Sequence, residues 1–127
     1  MQRLREEGGF GRRAAYSRAV RQGAYISVSA TAALDGGVAK HPGDAHAQAK
    51  DAIRNALDAA TELGATRDSV LRTRLLLGPG CDWEAVIDAH REIFEGAPPA
   101  NTTYYVARLI PEGVLVEVEL DAIAGDQ

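Results

Sequence analysis

Three acidic side chains near the end of the chain stand two residues apart: Glu117, Glu119 and Asp121, interleaved with Val116, Val118 and Leu120. In an extended strand this alternation puts the carboxylates on one face and the apolar side chains on the other. The ordinary outcome is a solvated outer face. In a partly dry cleft the same carboxylate has a raised pKa and can act as an acid or base. Other chemistry-bearing types are sparse. Cys81 precedes a predicted helix, where the N-terminus lowers a thiol pKa, but no histidine partner is visible beside it. His41, His46 and His90 have no metal-ligand spacing, and His90 falls on an apolar helix stripe. No Gly-rich phosphate loop, zinc or EF-hand pattern is present, so no metal and no cofactor are expected.

The elements that would position these residues are read from periodicity. Residues 1–13 are polar and Gly-rich, and are expected to be a flexible lead-in. Tyr16 to Val20 and Ala24 to Thr31 read as strands around a turn at Gly23. Ile26, Val28 and Ala30 alternate with Ser27, Ser29 and Thr31, as in a half-buried strand. From about Asp44 to Leu63, Ala49, Ile53, Ala56, Leu57, Ala60 and Leu63 recur at helical spacing, and Gly64 marks the stop. Its small face of Ala45, Ala49, Ala52 and Ala56 predicts close packing on a sheet. Leu71 to Leu77 is a strand with Thr73, Leu75 and Leu77 on one face and Arg72, Arg74 and Leu76 on the other. Asp82 is the expected N-cap of a helix from Trp83 to Phe94. Its inner stripe is Trp83, Val86, Ile87, His90, Ile93 and Phe94. Thr102 to Leu109 and Val114 to Ala124 are expected to form a closing strand pair. The order β-β-α-β-α-β-β predicts an α+β fold: one mixed sheet covered on one face by two helices.

The chain has 127 residues, 46% of them hydrophobic, which fits a single domain over 1–127 with a real core. The net charge of −4 and the absence of a basic stripe make nucleic acid an unlikely partner. A lone cysteine forms no intrachain disulfide and fits a reducing compartment. No apolar run approaches the ~20 residues of a membrane helix. The cytoplasm is the expected location, with no membrane partner.

Several stretches, in order, carry a resemblance. They are Tyr16-Ser17-Arg18-Ala19-Val20 followed by Gly23, Val28-Ser29-Ala30-Thr31, Gln48 among the helix alanines, and Phe94 ahead of Pro99-Ala100-Asn101-Thr102. Arg108-Leu109-Ile110-Pro111 and Val116-Glu117-Val118 complete the set. From about Tyr16 to Ala124 the chain resembles the YjgF/RidA family, small trimeric proteins of the chorismate-mutase-like fold. The resemblance implies a homotrimer with ligand sites at subunit interfaces and a small-molecule ligand. It implies Glu117 as the catalytic residue that positions or activates water. It implies a pocket lined by Tyr16, Ser29, Asn101 and Thr103. Ser29 has no adjacent base and is not a nucleophile. The imine-hydrolysing members carry an arginine at the position of Asn101, where it binds the substrate carboxylate. Asparagine offers a neutral amide instead of a charged, two-pronged donor, and losing a charged hydrogen bond costs on the order of 1.5–3 kcal/mol. Weak turnover of 2-aminoacrylate-type imines is therefore expected, with Arg74 as a candidate substitute cation. The implied function is an imine or enamine deaminase, or a related hydrolase or tautomerase. A non-catalytic ligand-binding or chaperone-like trimer is the alternative. An endoribonuclease is disfavoured by the acidic balance.

Overall fold

A computed structural model describes residues 1–125. In chain order its elements are β1 (Gln2–Arg5), α1 (Gly9–Ala14), β2 (Ser17–Gln22), β3 (Tyr25–Thr31), β4 (Leu34–Asp35), β5 (Val38–Ala39), α2 (Ala45–Glu62), β6 (Val70–Leu77), α3 (Trp83–Phe94), β7 (Ala100–Tyr105) and β8 (Val116–Ile123). Six strands form one sheet in the order β1-β2-β3-β8-β6-β7, and β4 and β5 form a small separate hairpin.

Local chemistry sets the helix ends. The Asp44 carboxylate accepts a hydrogen bond from the Ala47 amide at 3.0 Å, opening α2. Gly64 closes it at φ +109°, a conformation costly for other residues. Asp82 likewise accepts from the Glu84 and Ala85 amides at the start of α3. The alanine face is buried as expected: Ala49, Ala52 and Ala56 are fully enclosed against the sheet. On the sheet side they meet Ile26, Leu75, Val116, Val118 and Leu120, also enclosed. Trp83 departs from its expected place on the inner stripe of α3; it is 52% exposed. It is the first helical residue, and Val86, Ala89 and Phe94 supply the buried stripe without it.

Two further expectations are corrected. The segment 1–13, expected as a lead-in, holds regular structure. β1 pairs antiparallel with β2, Arg3 opposite Val20 and Leu4 opposite Ala19, and α1 follows. Polar residues suffice there because β1 is an edge strand whose order comes from backbone pairing. The expected closing strand pair also does not form. β8 lies between β3 and β6, antiparallel to both, while β7 runs parallel to β6 at the far edge. Helix α3 is the crossover that a parallel pair requires. The connection 106–115 then carries the chain from the edge back to the centre. Gln48, 1% exposed, fixes its end by donating to the Gly113 carbonyl at 3.0 Å and accepting from the Leu115 amide at 2.8 Å.

Helices α2 and α3 lie on one face. The other face carries the alternate residues of each strand, including Arg18, Ser27, Ser29, Arg74, Glu117, Glu119 and Asp121. These side chains are half-buried within the isolated chain.

Candidate functional site

A cleft of about 790 Å³ opens on the face opposite α2 and α3, within the size range of small-molecule sites. Three parts of the chain build it. The β2–β3 hairpin contributes Tyr16, Arg18 and Ser29, β8 contributes Glu117, and the connection before β8 contributes Arg108 to Pro111. The N-terminal segment closes one side with Glu6, Phe10 and the glycines between and beside them.

Strand alternation explains which side chains enter. Ala19 and Val28 face the helices and are buried, so Arg18 and Ser29 face the cleft. The Ser29 hydroxyl donates to the Ser17 carbonyl at 2.7 Å. Tyr16 packs edge-on against Phe10, ring centroids 6.2 Å apart, and the Arg18 guanidinium sits 5.5 Å from the Tyr16 ring centroid. Arg18 donates through Nη2 to the Ala30 carbonyl at 2.7 Å and through Nη1 to Glu6 Oε2 at 3.3 Å. Its Nε is buried without a hydrogen-bond partner.

Burial pushes the Glu117 carboxyl above the usual glutamate range. The positive charge of Arg18 pulls it back, and the negative charge of Glu119 adds to the rise. Glu119 and Asp121 take a different part. Arg74 lies 3.6 Å from Glu119 and 3.4 Å from Asp121, and Ser27 donates to Asp121 at 2.8 Å. The three equally spaced carboxylates thus divide between a cleft and a charge cluster.

The cleft brings together Tyr16, Ser29 and Glu117, and excludes Asn101, Thr103 and Arg74. Asn101 lies opposite Thr73 on β6, and Thr73 lies opposite Leu120 on β8. Asn101 is therefore two strands across and three residues along from Glu117, about 14 Å between Cα atoms by strand geometry. Its amide points to the helix side. Nδ2 donates to Thr73 Oγ1 at 3.0 Å, Thr73 Oγ1 meets His90 Nε2 at 2.8 Å, and Thr103 Oγ1 donates to Asn101 Oδ1 at 2.8 Å. Burial lowers the His90 pKa, and its ring packs on Phe94 at 4.7 Å. Within one chain Asn101 and Thr103 belong to this hydrogen-bonded chain at the β7 edge.

Three charged cleft residues escape the pattern reading: Glu6, Arg18 and Arg108. Arg18 was within reach, since its alternation with buried Ala19 directs it to the open face. Glu6 was masked by the mixed charges of the N-terminal segment. Cys81 is buried, and burial together with the charge of Asp82 raises its thiol pKa, the opposite of an activated nucleophile. Among the described residues no group of three His, Cys, Asp or Glu side chains could hold a metal ion. Nor is any helix among them long and apolar enough to cross a membrane.

The family model described as Endoribonuclease L-PSP matches residues 10–124. The chain is 37% identical over 110 residues to an uncharacterized protein of Streptomyces coelicolor, covering 87% of this chain and 82% of that one. It is 32% identical over 111 residues to the mouse 2-iminobutanoate/2-iminopropanoate deaminase, again covering 87% and 82%. A crystal structure of a YjgF/YER057c/UK114 family member from Mycobacterium tuberculosis superposes with a TM-score of 0.83 at 32% identity. The superposition covers 97% of this chain and 98% of that one.

Proposed function

The chain belongs to the YjgF/RidA family, and from that premise we propose that it hydrolyses small carboxylate-bearing imines or enamines, with Glu117 as the acid/base. The observation that carries the reading is Glu117 in a cleft, its carboxyl raised by burial, beside the cation Arg18. The deaminase relatives support the same chemistry. In the reaction, water adds its oxygen to the imine carbon while the C=N electron pair moves to nitrogen. Glu117 takes the proton that water gives up and returns it to the nitrogen. The carbinolamine hydroxyl proton then passes to nitrogen as the carbon–nitrogen bond breaks, giving the carbonyl compound and ammonia, which takes a proton from solvent to become ammonium. A carboxyl with raised pKa suits this shuttle, because it is a stronger base than an ordinary glutamate and so takes the proton from water more readily before returning it.

The assembly in this proposal is a homotrimer of single-domain subunits. Two features support it. The face opposite α2 and α3 carries half-buried charged side chains, and β7 presents a free edge with Tyr104 and Tyr105 exposed beside Asn101 and Thr103. In a trimer the β7 edge of one copy would close over the cleft of the next, adding Asn101 and Thr103 to Tyr16, Ser29 and Glu117. One observation favours a second reading, a ligand-binding trimer without turnover: Asn101 brings no charge to that edge.

Ammonium release from enzymatically generated 2-aminoacrylate, for wild type and Glu117→Gln, separates the two readings. Hydrolysis predicts release by wild type and its loss in the variant. No release by a folded wild type leaves the binding reading. Light scattering tests the assembly, with three times the 13.5 kDa chain mass expected and a monomer at micromolar concentration refuting it.

A further inference from the structure

We infer that Arg18 is the residue that takes the substrate carboxylate, and that Glu6 is an internal carboxylate which the substrate displaces. The inference rests on the hydrolysis reading for the substrate class, but its evidence lies in the cleft itself. Arg18 lines the same cleft as Glu117, Tyr16 and Ser29. One of its terminal nitrogens is committed to the backbone through Ala30, which fixes the guanidinium against β3. The other meets only Glu6, at 3.3 Å. That contact is long and one-pronged, whereas well-formed guanidinium–carboxylate pairs are near ~2.7–2.9 Å and often two-pronged. A carboxylate that draws closer to Nη1, or that pairs Nη1 with the second Nη2 hydrogen end-on, makes the stronger contact that Glu6 in its present position does not. The Nε donor, on the opposite edge of the guanidinium from Nη1, is buried with no partner.

Glu6 is also placed as a removable occupant. It comes from the segment between β1 and α1, followed by Gly8 and Gly9, and not from the sheet. Its side chain lies in a space that exists because residue 11 is glycine. A Cβ on Gly11 would fall 2.0 Å from Glu6 Cγ and 2.3 Å from its Cβ. The charge that the β7 edge lacks at Asn101 is thereby supplied from β2, within the same subunit as Glu117.

Calorimetric titration with pyruvate, a small 2-oxo acid, tests the assignment without requiring turnover. Arg18→Gln is expected to weaken binding at least about tenfold, the loss of a charge-assisted pair. Glu6→Gln is expected to tighten it about two- to fivefold, since the competing ion pair is worth little. The double variant Arg18→Gln/Glu6→Gln matches Arg18→Gln alone. Unchanged affinity in Arg18→Gln, with loss in Arg108→Gln, overturns the assignment, as does weaker binding in Glu6→Gln. Should Arg18→Gln fail to fold by circular dichroism, Arg18→Lys and Glu6→Gln decide it. Lys keeps the charge and loses the fork, so intermediate affinity is expected; wild-type affinity in both variants overturns the proposal. Pyruvate binding in this pattern without ammonium release removes the hydrolysis reading and leaves Arg18 in place. Turnover and pyruvate binding both indifferent to Arg18→Gln do the reverse.

Discussion

Glu117→Gln changes charge and hardly changes shape, so it separates the cost of the carboxylate to the fold from its use in catalysis. The Glu117 pKa is raised above 4.5, chiefly by burial. A carboxyl with a higher pKa folded than unfolded binds more protons in the native state, so stability falls as pH rises from the unfolded value through the folded one. Below about pH 4 both states are protonated, and wild type and variant should be equally stable. Above the folded pKa the wild type carries the full penalty and the glutamine variant carries none. Each tenfold in proton affinity is worth ~1.4 kcal/mol. Glu117 is only half-buried, so solvent screening leaves on the order of 1 kcal/mol or less. The variant should therefore be more stable at pH 7.5 by roughly that amount, measured by urea unfolding at both pH values. Its turnover should fall by about 10²–10⁴, the usual contribution of a general acid–base group. The pH–rate profile of the wild type should rise through an apparent pKa above 4.5. A variant less stable than wild type at pH 7.5 would mean that attraction to Arg18 outweighs burial, and the argument for a poised carboxyl would fail. Turnover retained within threefold would remove Glu117 from the chemistry.

Thr73 is fully buried and its hydroxyl links His90 to Asn101; Thr73→Val should cost about 1–3 kcal/mol and lower the melting temperature by roughly 3–10 °C, and an unchanged melt refutes the linkage. In the Arg18→Gln background, Asn101→Arg should recover pyruvate affinity if the β7 edge of one copy closes over the cleft of another; a trimeric variant with no recovery rules out that placement. Ala56, fully enclosed between α2 and the sheet, leaves no room for a larger side chain, so Ala56→Leu should destabilise by about 1–3 kcal/mol, read as a shift in the urea midpoint.

The helices were legible because their signals are local. Asp44 and Asp82 cap α2 and α3, Gly64 stops the first, and the alanine spacing identifies its buried face. β6 was legible for the same reason, since Thr73, Leu75 and Leu77 alternate with polar or half-exposed neighbours. Strand partnership was legible only for the β2–β3 hairpin, whose turn at Gly23 is local. Nothing in the composition of β7 distinguishes a hairpin partner of β8 from an edge strand parallel to β6; the choice depends on where α3 returns the chain. The candidate site divides along the same line. Tyr16, Ser29 and Glu117 come together because each sits on a strand whose facing follows from alternation. Asn101 lies elsewhere within one chain because its strand is at the opposite side of β6. Glu6 was illegible because a charged residue in a polar segment reads as solvated until its partner Arg18 is placed.

The position of β8 also bears on how the protein is made. Among the described residues it is the last strand in chain order and the one that joins β1-β2-β3 to β6-β7. A nascent chain that has not yet reached Ile123 therefore holds two partial sheets, each with an inner edge open to pairing with a neighbour's strand. Val116, Val118 and Leu120 are absent from the core until that point, so α2 has an incomplete surface to pack on. Ribosome stalling or termination before β8 is complete should yield aggregation-prone fragments and not slightly shortened, working proteins. The same insertion delivers Glu117, so the cleft acquires its carboxylate only in the step that closes the sheet.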